Sequence, residues 1–124
     1  MASETAHILV VDDDESIRVT VEIILKTEGY NIITCKNGYE AIEILENKDF
    51  HLVISDIVMP DMDGIGFLRS IRNFGKQLDV IMISGNQIGR RFFRSAQLLG
   101  AKASLTKPFS RTELVEAVKS VLEG

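Results

Sequence analysis

The sequence predicts a single α/β domain: five β–α units building one doubly wound, five-stranded parallel sheet with helices on both faces. Three observations predict it. Five short apolar runs alternate with five segments of helical spacing, and the connections between them are short. The third and fourth runs are apolar nearly throughout, as strands covered on both faces must be. Crossovers between parallel strands of one sheet are right-handed.

The first strand is "HILVV" (7–11). In the helix that follows, Ile17, Val21, Ile24, Leu25 and Glu28 keep i, i+4, i+7 spacing, and Gly29 supplies the stop. "NIITC" (31–35) is the second strand, and Gly38, Ala41, Ile42 and Leu45 form the next helical stripe. "HLVIS" (51–55) is the third strand, followed by a stripe of Gly64, Phe67, Leu68 and Ile71. "DVIMIS" (79–84) is the fourth, and Phe92, Ala96 and Leu99 form a single helical face ended by Gly100. "KASLT" (102–106) is the fifth. The last helix opens on a capping box, Ser110 with Glu113, and buries Leu114, Ala117, Val118, Val121 and Leu122. Residues 1–124 thus read as one domain with a core from about residue 6 to 123, uninterrupted by a linker or repeat.

Composition narrows the function classes. Apolar residues make up 45% of the 124 and charged residues 26%, an ordinary globular balance. The formal net charge of −4 argues against direct nucleic-acid binding. No apolar run approaches the ~20 residues of a membrane span, and "MASETAH" is no secretory leader, so the expected location is cytoplasmic. The one cysteine, Cys35, excludes an internal disulfide and reads as a small buried apolar residue. His7 and His51 have no partner at metal-ligand spacing, which argues against zinc.

Ligands of open α/β sheets bind beyond the carboxyl ends of the strands. Strand 1 ends in Asp12, Asp13 and Asp14, strand 3 in Asp56, strand 4 in Ser84, and strand 5 in Thr106, Lys107 and Pro108. Carboxylates held together repel, and a hard divalent cation, best Mg²⁺, relieves this while still accepting a phosphate oxygen as ligand. Cations, a hydroxyl and a nucleophilic carboxylate suit a phosphoryl group, and Asp56, on the central strand, is the natural acceptor. Other aspartates have plainer uses. Asp14 or Ser16 caps the first helix, Asp63 caps the third, and Asp61 belongs to the turn after Pro60.

The motifs "ILVVDDDES", "LVISDIVMPDMDG", "VIMISG" and "LTKPF", in this order at strand ends, resemble the receiver domain of bacterial two-component response regulators. The resemblance covers the chain from Ile8 to the last helix. It implies a flavodoxin-like sheet in the order 2-1-3-4-5. It further implies that Asp56 accepts a phosphoryl group from a sensor histidine kinase or a histidine phosphotransfer protein. Asp12, Asp13, Asp56 and the Val58 backbone carbonyl would hold Mg²⁺, Asp13 more directly than Asp12. Ser84 would be the switch hydroxyl and Lys107 the phosphate-binding lysine, with a cis bond to Pro108. Such a domain assists its own phosphorylation and dephosphorylation and is a switch, not a turnover enzyme. Its output partner would read the face of helix 4, strand 5 and helix 5, with a homodimer as one form of output.

The chain departs from that pattern at Ser104, where similar proteins carry Tyr or Phe three residues before the lysine. Val58 and Asn86 occupy positions that tune phosphate lifetime in the family, and apolar Val58 implies slow self-dephosphorylation. "GRRFFRSAQLLG" (89–100) is also unusual: Arg90 and Arg94 share a helical face, and Phe92 and Phe93 cannot both enter the core. It reads either as a solvated basic face with one core phenylalanine or as a contact surface for a partner or second copy. Alternative readings are a receiver cut from a larger regulator or hybrid kinase, and a haloacid dehalogenase-like phosphatase built on Asp61–Met62–Asp63. A flavin binder is disfavoured by acids where a phosphate loop should follow strand 1.

Overall fold

In the computed structural model, which describes residues 5–73, 78–85 and 87–124, apolar β-rich runs and capped helices alternate along the chain. The elements are β1 (His7–Val11), α1 (Glu15–Thr27), β2 (Asn31–Cys35), α2 (Gly38–Asn47), β3 (Leu52–Asp56) and α3 (Gly64–Arg72). They continue with β4 (Asp79–Ser84), α4 (Gln87–Arg90), α5 (Phe93–Leu98), β5 (Ala103–Thr106) and α6 (Arg111–Glu123). All neighbouring strands are parallel, in the order β2-β1-β3-β4-β5, as the resemblance implies.

The period of two along each strand sorts the core into two layers. Ile8, Val10, Leu52, Ile54, Ile81 and Ile83 face α1 and α6, where Val21, Leu25, Leu114 and Val118 complete the layer. Leu9, Val11, Val53, Val80 and Met82 face the other way, onto Ala41 and Leu45 of α2, Phe67, Leu68 and Ile71 of α3, and Ala96 of α5. Each fully buried aliphatic side chain contributes roughly 1.5–3 kcal/mol, so both layers contribute to holding the sheet between its helices.

Local chemistry sets the helix ends. Asp14 caps α1 by accepting from the Ser16 N–H at 2.9 Å, which selects Asp14 over Ser16 as the cap. Asp63 caps α3 through the Gly66 N–H at 2.8 Å, and Ser110 with Glu113 forms the expected capping box on α6. Gly29 and Gly100 follow α1 and α5 with φ of 97°, the left-handed conformation glycine adopts at least cost.

Three expectations are corrected. The fifth strand begins at Ala103, one residue later than expected, and Lys102 leads into it with its N–H on the Val80 carbonyl at 2.8 Å. The third strand begins one residue later than expected and so takes Asp56 into the sheet, paired with Ile83. The single fourth helix is in fact two short ones. The Phe92 N–H bonds to the Gly89 carbonyl at 3.0 Å, an i→i+3 tightening, and the helical register restarts at Phe93. The stripe therefore shifts: Phe93 packs on the core beside Ala96 and Leu99, and Phe92 stays 43% exposed.

Candidate functional site

The parallel register brings the strand ends to one edge. Val11 is level with Cys35 and Ser55, Asp56 with Ile83, and Ser84 with Thr106. The next residues along β1 and β5 are Asp12 and Lys107, so Asp12, Asp56, Ser84 and Lys107 all lie at this edge. Asp12, Asp56 and Ser84 are the buried charged or hydroxyl side chains there, along with Ser55, whose Oγ donates to the Asp56 carbonyl at 2.9 Å. Buried polar groups of this kind persist only where partners satisfy them.

Lys107 is the principal partner. Its Nζ donates to Asp56 Oδ2 at 2.9 Å and lies 2.9 Å from Asp12 Oδ2 as an ion pair. Asp56 Oδ1 accepts from the Val58 N–H at 3.1 Å, and Asp12 Oδ1 from the Asp14 N–H at 2.9 Å. Burial pulls the Lys107 ammonium toward the neutral form, but its contacts with Asp12 and Asp56 outweigh this and hold it above the usual lysine range. For Asp12 the balance goes against the charge. Burial, together with the Asp56 carboxylate, raises its pKa despite Lys107 and the Asp14 N–H. The Lys107–Pro108 peptide is cis.

The donor set fits a hard cation. One carboxylate oxygen from each of Asp12, Asp13 and Asp56 lies within 4.8 Å of the others. Asp12 Oδ2 is buried and, among the described residues, has no hydrogen-bond donor aligned on it. Three carboxylate oxygens faced by the single ammonium of Lys107 answer to an oxygen-seeking divalent ion such as Mg²⁺ and not to a soft metal. Asp13 is exposed at the mouth of the cluster. Asp61 is also exposed, and the Asp63 carboxylate is engaged as the α3 cap, so the Asp61–Met62–Asp63 pair does not form a second acid site. Asn86 lies outside the described residues.

Three residues that the sequence pattern did not place at the site shape this edge. Arg18 Nη1 donates to the Asp12 carbonyl at 2.7 Å and fixes the peptide between the two acids. Gly89 on α4 lies directly over the Ser84 hydroxyl, where a Cβ would collide with Ser84 Oγ and sit 3.1 Å from Val58 Cγ2. Gly64 is similarly confined, since a Cβ there would fall 2.7 Å from Ile57 Cα, and its N–H bonds the Ile57 carbonyl at 2.6 Å. An Arg in the second turn after an acid pair, and glycines beside strand ends, were the available signals. Neither is specific without the fold.

Ser104 is exposed on β5, and the space beside it, about 320 Å³, is lined by Phe93, Arg94, Gln97 and Lys102 among others. Position 104 itself carries no aromatic ring, and Phe93 of α5 is the ring that lines the space beside it.

Comparisons with known proteins agree with the fold. The family model described as the response regulator receiver domain matches residues 8–119. The chain is 39% identical over 123 residues to the probable transcriptional regulator ycf27 of Porphyra purpurea, covering 98% of this chain and 49% of that protein. It therefore spans about half the length of that relative. Among solved structures, the chemotaxis protein CheY4 of Vibrio cholerae superposes with a TM-score of 0.88 at 30% identity, over 96% of this chain and 100% of that one. The response regulator protein TrrA of Thermotoga maritima, solved in complex with Mg²⁺–BeF, gives 0.85 at 34% identity over 95% and 100%.

Proposed function

The chain belongs to the response regulator receiver domain family of two-component signalling, and from that premise we propose that Asp56 is its phosphoacceptor and that phosphorylation there switches partner binding. The observation that carries the reading is the meeting of Asp56, Asp12 and Lys107 at one strand edge, with Lys107 Nζ 2.9 Å from an oxygen of each acid.

Asp12, Asp13, Asp56 and the Val58 backbone carbonyl would hold Mg²⁺, which, when bound, supplies a positive charge to the phosphoryl oxygens and relieves the repulsion among the carboxylates. The presence of such an ion in the complex of the relative TrrA supports this assignment. An Asp56 carboxylate oxygen forms the new P–O bond as the donor's bond to phosphorus breaks, and the donor group departs on the opposite side. Lys107, already on the Asp56 carboxylate, is placed to accompany the incoming phosphoryl oxygens as a fixed cation. Ser84, at the end of the adjacent strand, supplies the hydroxyl. The donor is a sensor histidine kinase or a histidine phosphotransfer protein, and the domain acts as a switch that assists its own phosphorylation. Half-exposed, apolar Val58 beside the acceptor orients no attacking water, so the phosphorylated form decays slowly; a lifetime of seconds would count against that assignment.

The test is incubation with Mg²⁺ and a small phosphodonor, read by intact mass. One added phosphate, not taken up when a chelator of Mg²⁺ is present from the start and absent from Asp56→Asn, is the expected result. Steady phosphate release from monoesters would favour a phosphatase instead, and no uptake would contradict the reading.

A further inference from the structure

The stretch "GRRFFRSAQLLG" is not used by the chemistry at Asp56, and the break between α4 and α5 gives it a different role. Because the register restarts at Phe93, the Phe92 ring leaves the core and becomes one wall of a groove. Ile57, Val58 and Met59 from the loop after β3 form the floor, and Ile65 and Arg69 of α3 the opposite wall. The groove holds about 350 Å³, within the ~300–1,000 Å³ of ligand-binding clefts. Val58 is 45% exposed and Ile88, on α4, is 60% exposed, so the apolar surface extends beyond the groove along α4.

Its rim is basic. Arg69 lies in the last turn of α3, and exposed Arg90 and Arg91 directly precede Phe92. Among the described residues none of these three arginines is paired with a carboxylate. The one acidic lining residue, Asp63, has its carboxylate engaged by the Gly66 N–H. In a chain of net charge −4, one unpaired guanidinium lining an apolar trough and two more on the exposed turn that leads into its Phe92 wall form a local exception. Arginine and an exposed aromatic are also the residue types that carry most binding energy at protein interfaces.

We propose that this groove docks an acidic peptide segment of a protein partner, with one large apolar side chain seated between Phe92 and Ile65 and carboxylates on Arg69, Arg90 and Arg91. An apolar groove with arginines spread over α3 and the turn before α5 suits an extended chain better than a compact ligand. The surface lies on the α3 side of α4, distinct from the β5 face next to Ser104. Val58 belongs both to its floor and to the contact with Gly89 over Ser84, so a docked segment lies beside the acceptor edge.

The test is selection from a random phage-displayed peptide library on the intact chain, followed by affinity measurement with the enriched peptides. The proposal expects peptides rich in Asp and Glu around a Leu, Phe or Met. Their affinity should fall by about tenfold or more in Phe92→Ser and in Arg69→Glu, and should weaken as salt is raised. Leu98→Ser, at a 77% exposed site on α5 away from the groove, should leave it unchanged. Phe92 lies outside the core, so its substitution leaves folding intact; should Arg69→Glu fail to fold, Arg69→Gln takes its place. Failure to enrich any peptide, enrichment of peptides without acids, or affinity indifferent to both substitutions would each overturn the proposal. None of these outcomes depends on phosphorylation of Asp56.

Discussion

Lys107 Nζ and Asp56 Oδ2 meet at 2.9 Å across 51 positions of chain, and the same ammonium stands 2.9 Å from Asp12. One cation thus faces two carboxylates, with Asp13 as a third acid at the mouth. The edge is electrostatically unbalanced by design of its residues, and the imbalance makes predictions.

A carboxyl whose pKa is raised by folding costs stability at every pH above that pKa, because the native state disfavours the charge that the unfolded chain carries freely. Asp12 is in that position, chiefly through burial. Asp12→Asn is therefore expected to stabilise the metal-free protein, on the order of 1 kcal/mol, and, on the proposed Mg²⁺ site, to be no longer stabilised by added Mg²⁺ where the native chain is. Urea titrations in EDTA and in Mg²⁺ measure both. A destabilised variant in EDTA would show that Lys107 already balances the buried charge.

Gly89 has no space for a side chain, since an added Cβ would strike Ser84 Oγ and lie 2.9 Å from Ser84 Cβ. Gly89→Ala is expected to push α4 off the end of β4 and cost about 1–3 kcal/mol. Amide chemical shifts should change at Ser84 and Val58 but not at the opposite end of the sheet. Unchanged stability would mean that α4 is free to lift away.

Arg72 ties three segments together: Nη1 donates to the Leu78 carbonyl at 2.8 Å, Nε to Leu99 at 2.9 Å and Nη2 to Gly100 at 3.2 Å. Arg72→Met leaves three carbonyls without their charged donor and is expected to cost about 2–3 kcal/mol. Arg72→Lys should recover little, because an ammonium cannot span the three acceptors as a planar fork does. Full rescue by lysine would reduce the interaction to simple charge.

Burial, with the nearby Glu40 charge adding to it, pushes the Cys35 thiol from 9.0 up to about 12. Between those values the unfolded chain has lost a thiol proton that the native protein keeps, so stability falls as pH rises, by ~1.4 kcal/mol per unit. Below pH 9 this contribution is fully present. Cys35→Ala should remove that part of the slope, leaving the remainder from Lys107, and native Cys35 should resist alkylation at neutral pH. Rapid labelling of the native protein would contradict its buried state.

The sheet was legible because its two layers follow directly from residue alternation: even a one-residue shift at β3 leaves Leu52 and Ile54 on one face and Val53 on the other. The capping residues Asp63 and Ser110 were legible because their bonds are local. The order of strands was not, since nothing in β2 says which edge it joins; that came from the resemblance. The break at Arg91–Phe92 was missed for a different reason. A spacing of Phe92, Ala96 and Leu99 assumes one continuous helix, and the restart shows only in the backbone bonds, where the Phe92 N–H turns back to the Gly89 carbonyl. Asp12, Asp13, Asp56, Ser84 and Lys107 could be placed at one edge from the sequence, whereas the contacts of Arg18 and Gly89 with that edge depend on tertiary approach.

The central claim is that Asp56 is the residue that takes the phosphoryl group. Borohydride reduction of the phosphorylated protein converts an aspartyl phosphate to homoserine, and fragmentation mass spectrometry then locates it. Homoserine at position 56 and at no other aspartate is the predicted result. Homoserine at Asp12, Asp13 or Asp63, with Asp56 intact, would contradict the account.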